Sequence, residues 1–217
     1  WTDAVNSAWR VYYKQSTDAD YTYEEVSQTS ASINLAPSSL YSFYVVSLCG
    51  TEEGPDATVE RTVSVPGLPI ESLPYEQDFE GTEAITEFTV TGSGVNQWAI
   101  GSAVFNPGEE GAESGSALYI SNDNGVSNAY TNNNTSISYA TLIVPFTDQL
   151  EYHISFDYKC VAESSTYDYM RVFMLNSDET LSTSSVPSDS KAISPRLSQI
   201  NNWTHYDYIM TNATPGS

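Results

Sequence analysis

From Glu151 to Cys160 the chain reads EYHISFDYKC. Tyr152, Ile154, Phe156 and Tyr158 fall on one side of an extended backbone, and His153, Ser155 and Asp157 on the other. Successive strand side chains point to opposite faces, so this run buries one face of a sheet and leaves the other wet; on a helix the same groups would scatter around the circumference. The pattern recurs at Trp9-Arg10-Val11-Tyr12-Tyr13-Lys14, and again over 40–50, where Tyr41, Phe43, Val45 and Ser47 share a face. No run keeps apolar residues at helical spacing. Composition agrees: 16 Tyr, 31 Ser, 21 Thr and 14 Asn stand against 3 Lys, which is strand and turn chemistry with the helix formers missing. The expected class is all-β and antiparallel.

A length of 217 residues suggests one or two domains. The best boundary is PGLPIESLP at 66–74, three prolines and a glycine between strand-rich regions, which reads as a semi-rigid linker containing a hinge. In 1–65, strands are expected at 9–14, 21–27, 30–35, 40–50 and 57–65, with a turn at 52–56. Short strands at this spacing indicate an antiparallel sandwich. In 75–217 they are expected at 87–91, 97–101, 116–122, 139–146, 151–160, 167–175 and 203–211, joined by Asn/Gly/Ser-rich connections, a pattern that suggests a double-sheet jelly roll.

Trp1, then Trp9, Val11 and Tyr13, then Leu35, Pro37 and Tyr41, with Phe43, Val45 and Gly54-Pro55, form one pattern. By this pattern the segment 1–65 resembles a fibronectin type III domain. The resemblance implies an Ig-like sandwich lacking its first strands, with Tyr41 as the tyrosine corner whose hydroxyl bonds back to nearby backbone. In the rest of the chain YEQDFEG at 75–81, Trp98-x-Ile100-Gly101, ALYISNDNG at 117–125, NAYT at 128–131, ISFDYKC at 154–160 and YDYMRVF at 167–173 follow in order. By these motifs 75–217 resembles the cleaved-adhesin or choice-of-anchor J domain, a MAM-like jelly roll of secreted Bacteroidetes-type proteins. That resemblance implies a jelly roll whose closing strands are absent, TPGS at 214–217 coming before any apolar-Asp-Asn-Ile run. The expected core is Trp9, Tyr13, Leu35, Tyr41, Phe43 and Val45 in the first module. In the second it is Phe79, Trp98, Leu118, Ile120, Ile154, Phe156, Met170 and Val172.

Charge narrows the partners. The chain carries 28 acidic and 7 basic residues, net -21, so a nucleic acid or an anionic membrane surface is repelled. No apolar run approaches the about 18 residues of a membrane span. The opening WTDAVNSAWR has neither a basic nor an apolar leader region and no initiator Met, and reads as a piece of a longer polypeptide. Cys49 and Cys160 read as buried free thiols in separate cores.

Catalytic chemistry finds little footing. His153 and His205 are the only histidines, and neither has a nucleophile-elbow context. Asp157 and Asp168, expected on neighbouring strands, are the best carboxylate pair for glycoside hydrolysis, but no cleft of Trp and polar groups surrounds them. Zinc spacing is missing. Calcium is the candidate cofactor. Asp78 and Glu80 would share one side of an extended segment, and Asn122, Asp123 and Asn124 crowd oxygen donors before Gly125, with Asp157 and Asp168 as second choices. The second run is not an EF-hand, since its twelfth position is Asn133; a hairpin turn explains it equally. The resemblance adds that related jelly rolls hold calcium near the opening Phe-Glu segment, a position that Glu80 matches. Sequons at Asn133, Asn134, Asn202 and Asn212 occur at near-chance frequency for this composition.

The expected function is a non-catalytic extracellular adhesion or binding module of a larger secreted or surface bacterial protein. Its partners would be a glycan or protein ligand and neighbouring domains of the same polypeptide. The alternatives are an accessory pair of a secreted hydrolase, such as a cysteine peptidase, and a structural spacer.

Overall fold

The computed structural model describes residues 1–3, 6–102, 115–146 and 151–211. They form an all-β structure of antiparallel sheets, with one short α-helix, α1 (Glu83–Glu87), and a single 3-10 turn at Asp189–Lys191. Among the described residues no helix is long and apolar enough to cross a membrane.

The first module is one five-stranded sheet. Strands β1 (Trp9–Gln15), β2 (Thr22–Val26), β3 (Ser39–Cys49) and β4 (Glu52–Ala57) run in the order β2-β1-β3-β4, and β5 (Arg61–Val65) also pairs with β3. Register places Trp9 opposite Ser47 and Val26, Val11 opposite Val45, and Tyr13 opposite Phe43. That face makes the core. Trp9, Val11 and Val45 are buried, and Trp1, Val26 and Ile33 pack against them. Trp1 meets Trp9 edge-on at 6.0 Å, and the Trp9 indole donates to Asp3 Oδ2 at 3.1 Å, so the polar edge of a buried ring is satisfied. Tyr13, Leu35, Tyr41 and Phe43 are half-buried rather than fully enclosed.

Three expectations change here. Residues 30–35 form no strand, although Ile33 still covers the core. The expected turn at 52–56 is strand β4, because the reversal comes earlier: Cys49 pairs with Glu52 around Gly50-Thr51, and Gly50 takes φ 68, the left-handed geometry of a two-residue hairpin. Pro55 is tolerated because β4 ends the sheet path. Cys49 consequently sits at a hairpin end and is exposed, not buried; Cys160 is half-buried, and both thiols are free.

The 66–74 segment, expected as a semi-rigid linker with a hinge, is bonded to its surroundings along its backbone. Gly67 N–H donates to Thr89 Oγ1, Leu68 N–H to Thr86 O at 2.9 Å and Ile70 N–H to Ile143 O at 3.1 Å. Ile70 is 3% exposed. Ser38 of the first module ties in from the other side: its N–H donates to Pro66 O at 3.1 Å and its hydroxyl to Thr86 O at 2.8 Å.

The second module is built from β6 (Thr89–Gly92), β7 (Gln97–Gly101), β8 (Ala117–Ser121), β9 (Ser138–Thr141), β10 (Glu151–Cys160) and β11 (Ile200–Thr211), paired as β6-β9, β7-β8 and β10-β11. Trp98 joins two of these ladders, its backbone N–H bonding Ser138 Oγ at 3.3 Å and its indole Ser138 O at 3.0 Å. The alternation of β10 appears as read: Tyr152 and Tyr158 are buried, Ile154 and Phe156 half-buried, and His153, Ser155 and Asp157 exposed. The expected strand 167–175 is replaced by isolated bridges, Met170 to Leu197 and Phe173 to Ala192. On β8 the better-buried face is Ala117, Tyr119 and Ser121, not Leu118 and Ile120, because the following turn folds onto that face and takes the Tyr119 hydroxyl on Gly125 O at 2.7 Å. Phe79, Trp98, Met170 and Val172 are also half-buried.

Candidate functional site

The face of the first sheet opposite its core carries the most distinctive side-chain array. Register sets Tyr23, Tyr12 and Tyr44 in one row across β2, β1 and β3, with Glu25, Arg10 and Val46 in the next. Tyr12 stacks on Tyr44 with centroids 4.9 Å apart and planes 11° apart, and lies 5.3 Å from Tyr23; Tyr21 meets Tyr44 edge-on at 5.0 Å. The Arg10 guanidinium sits 4.7 Å from the centre of the Tyr23 ring, and Lys14 Nζ 4.9 Å from that of Tyr21, both within cation–π reach.

Arg10 also bonds Glu25 Oε1 at 2.8 Å and Glu53 Oε1 at 2.9 Å. The Tyr12 hydroxyl donates to the same Glu53 oxygen. These contacts explain the titration shifts. The Tyr12 hydrogen bond, then Arg10, hold the Glu53 carboxyl below its usual range. Glu53 in turn raises the Tyr12 phenol, and desolvation followed by the Glu60 hydrogen bond raises Tyr21. The rings, the two cations and the carboxylates of Glu25 and Glu53 thus hold one another in place, while Tyr23 stays 48% exposed at the edge strand. Sequence reading missed this face: alternation marks Arg10, Tyr12 and Lys14 as the outer side of β1, but only cross-strand register shows that Tyr23 and Tyr44 continue their row.

The expected calcium ligands are not gathered into a site. Phe79 has φ 64, so the segment is not extended there and Asp78 and Glu80 are not held on one side by strand geometry. Asp78 Oδ1 accepts the Glu80 N–H at 3.0 Å, and Glu80 Oε1 accepts the Ser116 N–H at 2.6 Å. Asp123 is the centre of a turn clasp: Oδ1 accepts from Ser121 Oγ at 2.7 Å and Ser127 N–H at 2.8 Å, and Oδ2 from Ser127 Oγ at 2.7 Å. These bonds, Ser127 first, hold its carboxyl at about 2. Asn122 donates to Thr131 Oγ1 at 3.0 Å, and Asn124 takes the turn's left-handed position at φ 60. Asp157 Oδ1 lies 2.9 Å from His205 Nδ1 on the exposed face of β10-β11, where the ring N–H donates to the carboxylate; Asp168 lies outside any strand, 3.5 Å from the Tyr130 hydroxyl. Among the described residues no three His, Cys, Asp or Glu side chains are grouped to hold a metal.

His153 pairs with Glu151 at 2.8 Å, also on the exposed face. Cys160 Sγ donates to Leu197 O at 3.1 Å, and burial pushes its thiol up, away from nucleophilic thiolate character. Asn133, Asn134 and Asn202 are exposed, whereas Asn212 lies outside the described residues. Comparison with protein-family models, with curated proteins and with solved structures found no match.

Proposed function

We propose that this chain is a non-catalytic binding module of a larger secreted or cell-surface protein, with a glycan or protein as its ligand. The observation that carries the reading is the outer face of the first sheet, where Tyr12, Tyr21, Tyr23 and Tyr44 are locked together by Arg10, Lys14 and Glu53. Rigid tyrosines with an arginine supply contact area at small ordering cost, which is what recognition surfaces use. The fibronectin type III reading of 1–65 is supported by the strand order β2-β1-β3-β4 and by Tyr41, whose hydroxyl accepts the Ala36 N–H at 3.2 Å as a tyrosine corner does. The jelly-roll reading of 75–217 is supported by its antiparallel ladders.

The test is an array carrying extracellular-matrix proteins and glycans, probed with the chain and with a Tyr21→Ala/Tyr23→Ala variant. Retention that the variant loses supports the reading. No retention on either class of ligand overturns it.

A further inference from the structure

We infer that the tyrosine face binds an uncharged polysaccharide, laid along the Tyr23–Tyr12–Tyr44 row. This rests on the binding-module reading and names the ligand class of the same site.

Charge is the first argument. The chain as a whole carries net -21, and an anionic polymer is repelled by that field. A polycation would be drawn to the acidic surface, but not here. Residues 1–65 hold only three bases, and two of them, Arg10 and Lys14, stand on this face against Glu25, Glu53 and Glu60. The face is close to electrically balanced within a strongly acidic molecule. A ligand that selects it gains nothing from net charge.

Shape is the second. The row crosses three strands, so its backbone span is two inter-strand gaps, or ~10 Å. That is a narrow strip suited to a few sugar residues. A standard protein interface needs about 800 Å² on each partner with a desolvated apolar centre. Here the strip is flanked by Arg10 bonded to two carboxylates, and covering that group with apolar protein would strip water from three charges.

Chemistry is the third. A pyranose presents C–H groups on its faces and hydroxyls around its rim. The open part of Tyr23 offers carbon to the former. The Glu25 and Glu53 carboxylates keep unshared lone pairs for sugar hydroxyls, and both are partly exposed. Because Arg10 and the rings already hold one another, little further side-chain freedom is lost on binding.

The experiment is isothermal titration of the whole chain with neutral gluco-, manno-, xylo- and galacto-oligosaccharides. Heparin and polygalacturonate serve as anionic probes, and polylysine as the cationic one. At least one neutral series is expected to bind, with affinity falling tenfold or more in Tyr23→Ala and unchanged in Trp203→Ala, which alters an exposed ring on β11. Circular dichroism of Tyr23→Ala checks that the fold is kept, and Tyr23→Phe is expected to retain most of the affinity. Neutral-glycan binding that ignores Tyr23→Ala but falls in Trp203→Ala overturns the site while leaving the module reading standing. Binding of only the charged probes overturns the ligand class. Binding of an extracellular protein but no glycan, with loss in Tyr23→Ala, also overturns the ligand class and keeps the site.

Discussion

Substituting Gly67 by alanine distinguishes a pinned junction from a flexible linker by the sign of its effect. Gly67 is buried, and a Cβ built there would lie 2.7 Å from the Glu87 carbonyl carbon, closer still to its oxygen, and 2.9 Å from Ser38 Oγ. Glu87 ends α1, so its carbonyl is fixed backbone that cannot swing aside. Gly67→Ala must therefore move the 66–68 backbone outward. That breaks the Gly67 bond to Thr89 and strains the Leu68–Thr86 and Ser38–Thr86 bonds. Overpacking costs about 1–3 kcal/mol, and each net hydrogen bond lost adds about 1 kcal/mol. The expected loss is about 2–4 kcal/mol, or roughly 5–15 °C in melting temperature for a module of this size.

A free hinge predicts the opposite. With no neighbours, Gly→Ala removes unfolded-state freedom and stabilises by about 0.4–1 kcal/mol. Calorimetry of Gly67→Ala beside Glu71→Ala, an exposed change in the same segment, separates the two. Glu71→Ala is expected to stay within about 0.5 kcal/mol of the parent. Small-angle scattering gives a second readout, with a broader distance distribution in Gly67→Ala only. A neutral or stabilising Gly67→Ala would falsify the pinned junction.

Other consequences follow from the same packing. Ser121, 1% exposed, holds its turn by accepting the Gly125 N–H at 2.9 Å and donating to Asp123, so Ser121→Ala is expected to lower stability by about 1–3 kcal/mol in urea titration. Asp123 is held at about 2 against an ordinary 3.8. Its folded pKa is depressed, so its stabilisation is complete above the unfolded value and fades as pH falls from about 4 through 2; Asp123→Asn should flatten that part of the urea-midpoint curve relative to the parent. Trp9→Ala empties the first core and is expected to cost about 3–5 kcal/mol, read as loss of the cooperative melt of that module. Because the carboxylates of 78–80 and 122–124 serve local hydrogen bonds, millimolar calcium and EDTA should give the same melting temperature; a calcium-dependent rise abolished by Glu80→Gln would reverse that conclusion.

Where one side chain per residue settles the matter, sequence is enough. Period-two alternation located β1 and β10 to within a residue, and the polar and apolar faces of β10 follow directly from it. It failed where a partner element decides. The Gly50-Thr51 reversal displaced the expected turn, and with it the environment of Cys49. Leu118 and Ile120 look like core residues, but the Tyr119 hydroxyl and the Ser121 clasp draw the turn onto the other face. The tyrosine row is legible on β1 alone; joining it to β2 and β3 takes register, which alternation does not supply. The acids at 78–80 and 122–124 have the composition of a cation site, yet backbone φ at Phe79 and bonds from Ser116 and Ser127 commit them locally.

The connection between β10 and β11 explains the largest departure, the absent strand at 167–175. Residues 161–199 hold three of the four bases of 66–217, and each is engaged: Arg171 with Asp189 at 2.5 Å and over the Phe173 ring, Lys191 with Glu179, and Arg196 over the Tyr169 ring at 4.6 Å. Backbone bonds join Met170 to Leu197, Val172 to Ile193 and Met174 to Lys191, but the bridges there, Met170–Leu197 and Phe173–Ala192, stay isolated and never lengthen into a ladder. Apolar alternation in YDYMRVFML suggests a strand because it sees Met170 and Val172 and cannot see that the Val172 N–H goes to Ser194 Oγ at 2.8 Å, a side chain where a ladder needs a carbonyl, between the Met170–Leu197 and Phe173–Ala192 bridges. In so acidic a chain a cation sits in a favourable field wherever it is placed, so position is set by what it can clasp. Here the few available bases fall where ladder pairing is thinnest. That arrangement makes this connection, more than the sheets, sensitive to salt: exposed ion pairs are screened over about 10 Å at 0.1 M, while the β10-β11 ladder is not. Amide exchange in rising sodium chloride should therefore quicken at Val172 and Met174 before it changes at Ile154 or Phe156, and equal acceleration at all four would show that the ion pairs hold nothing.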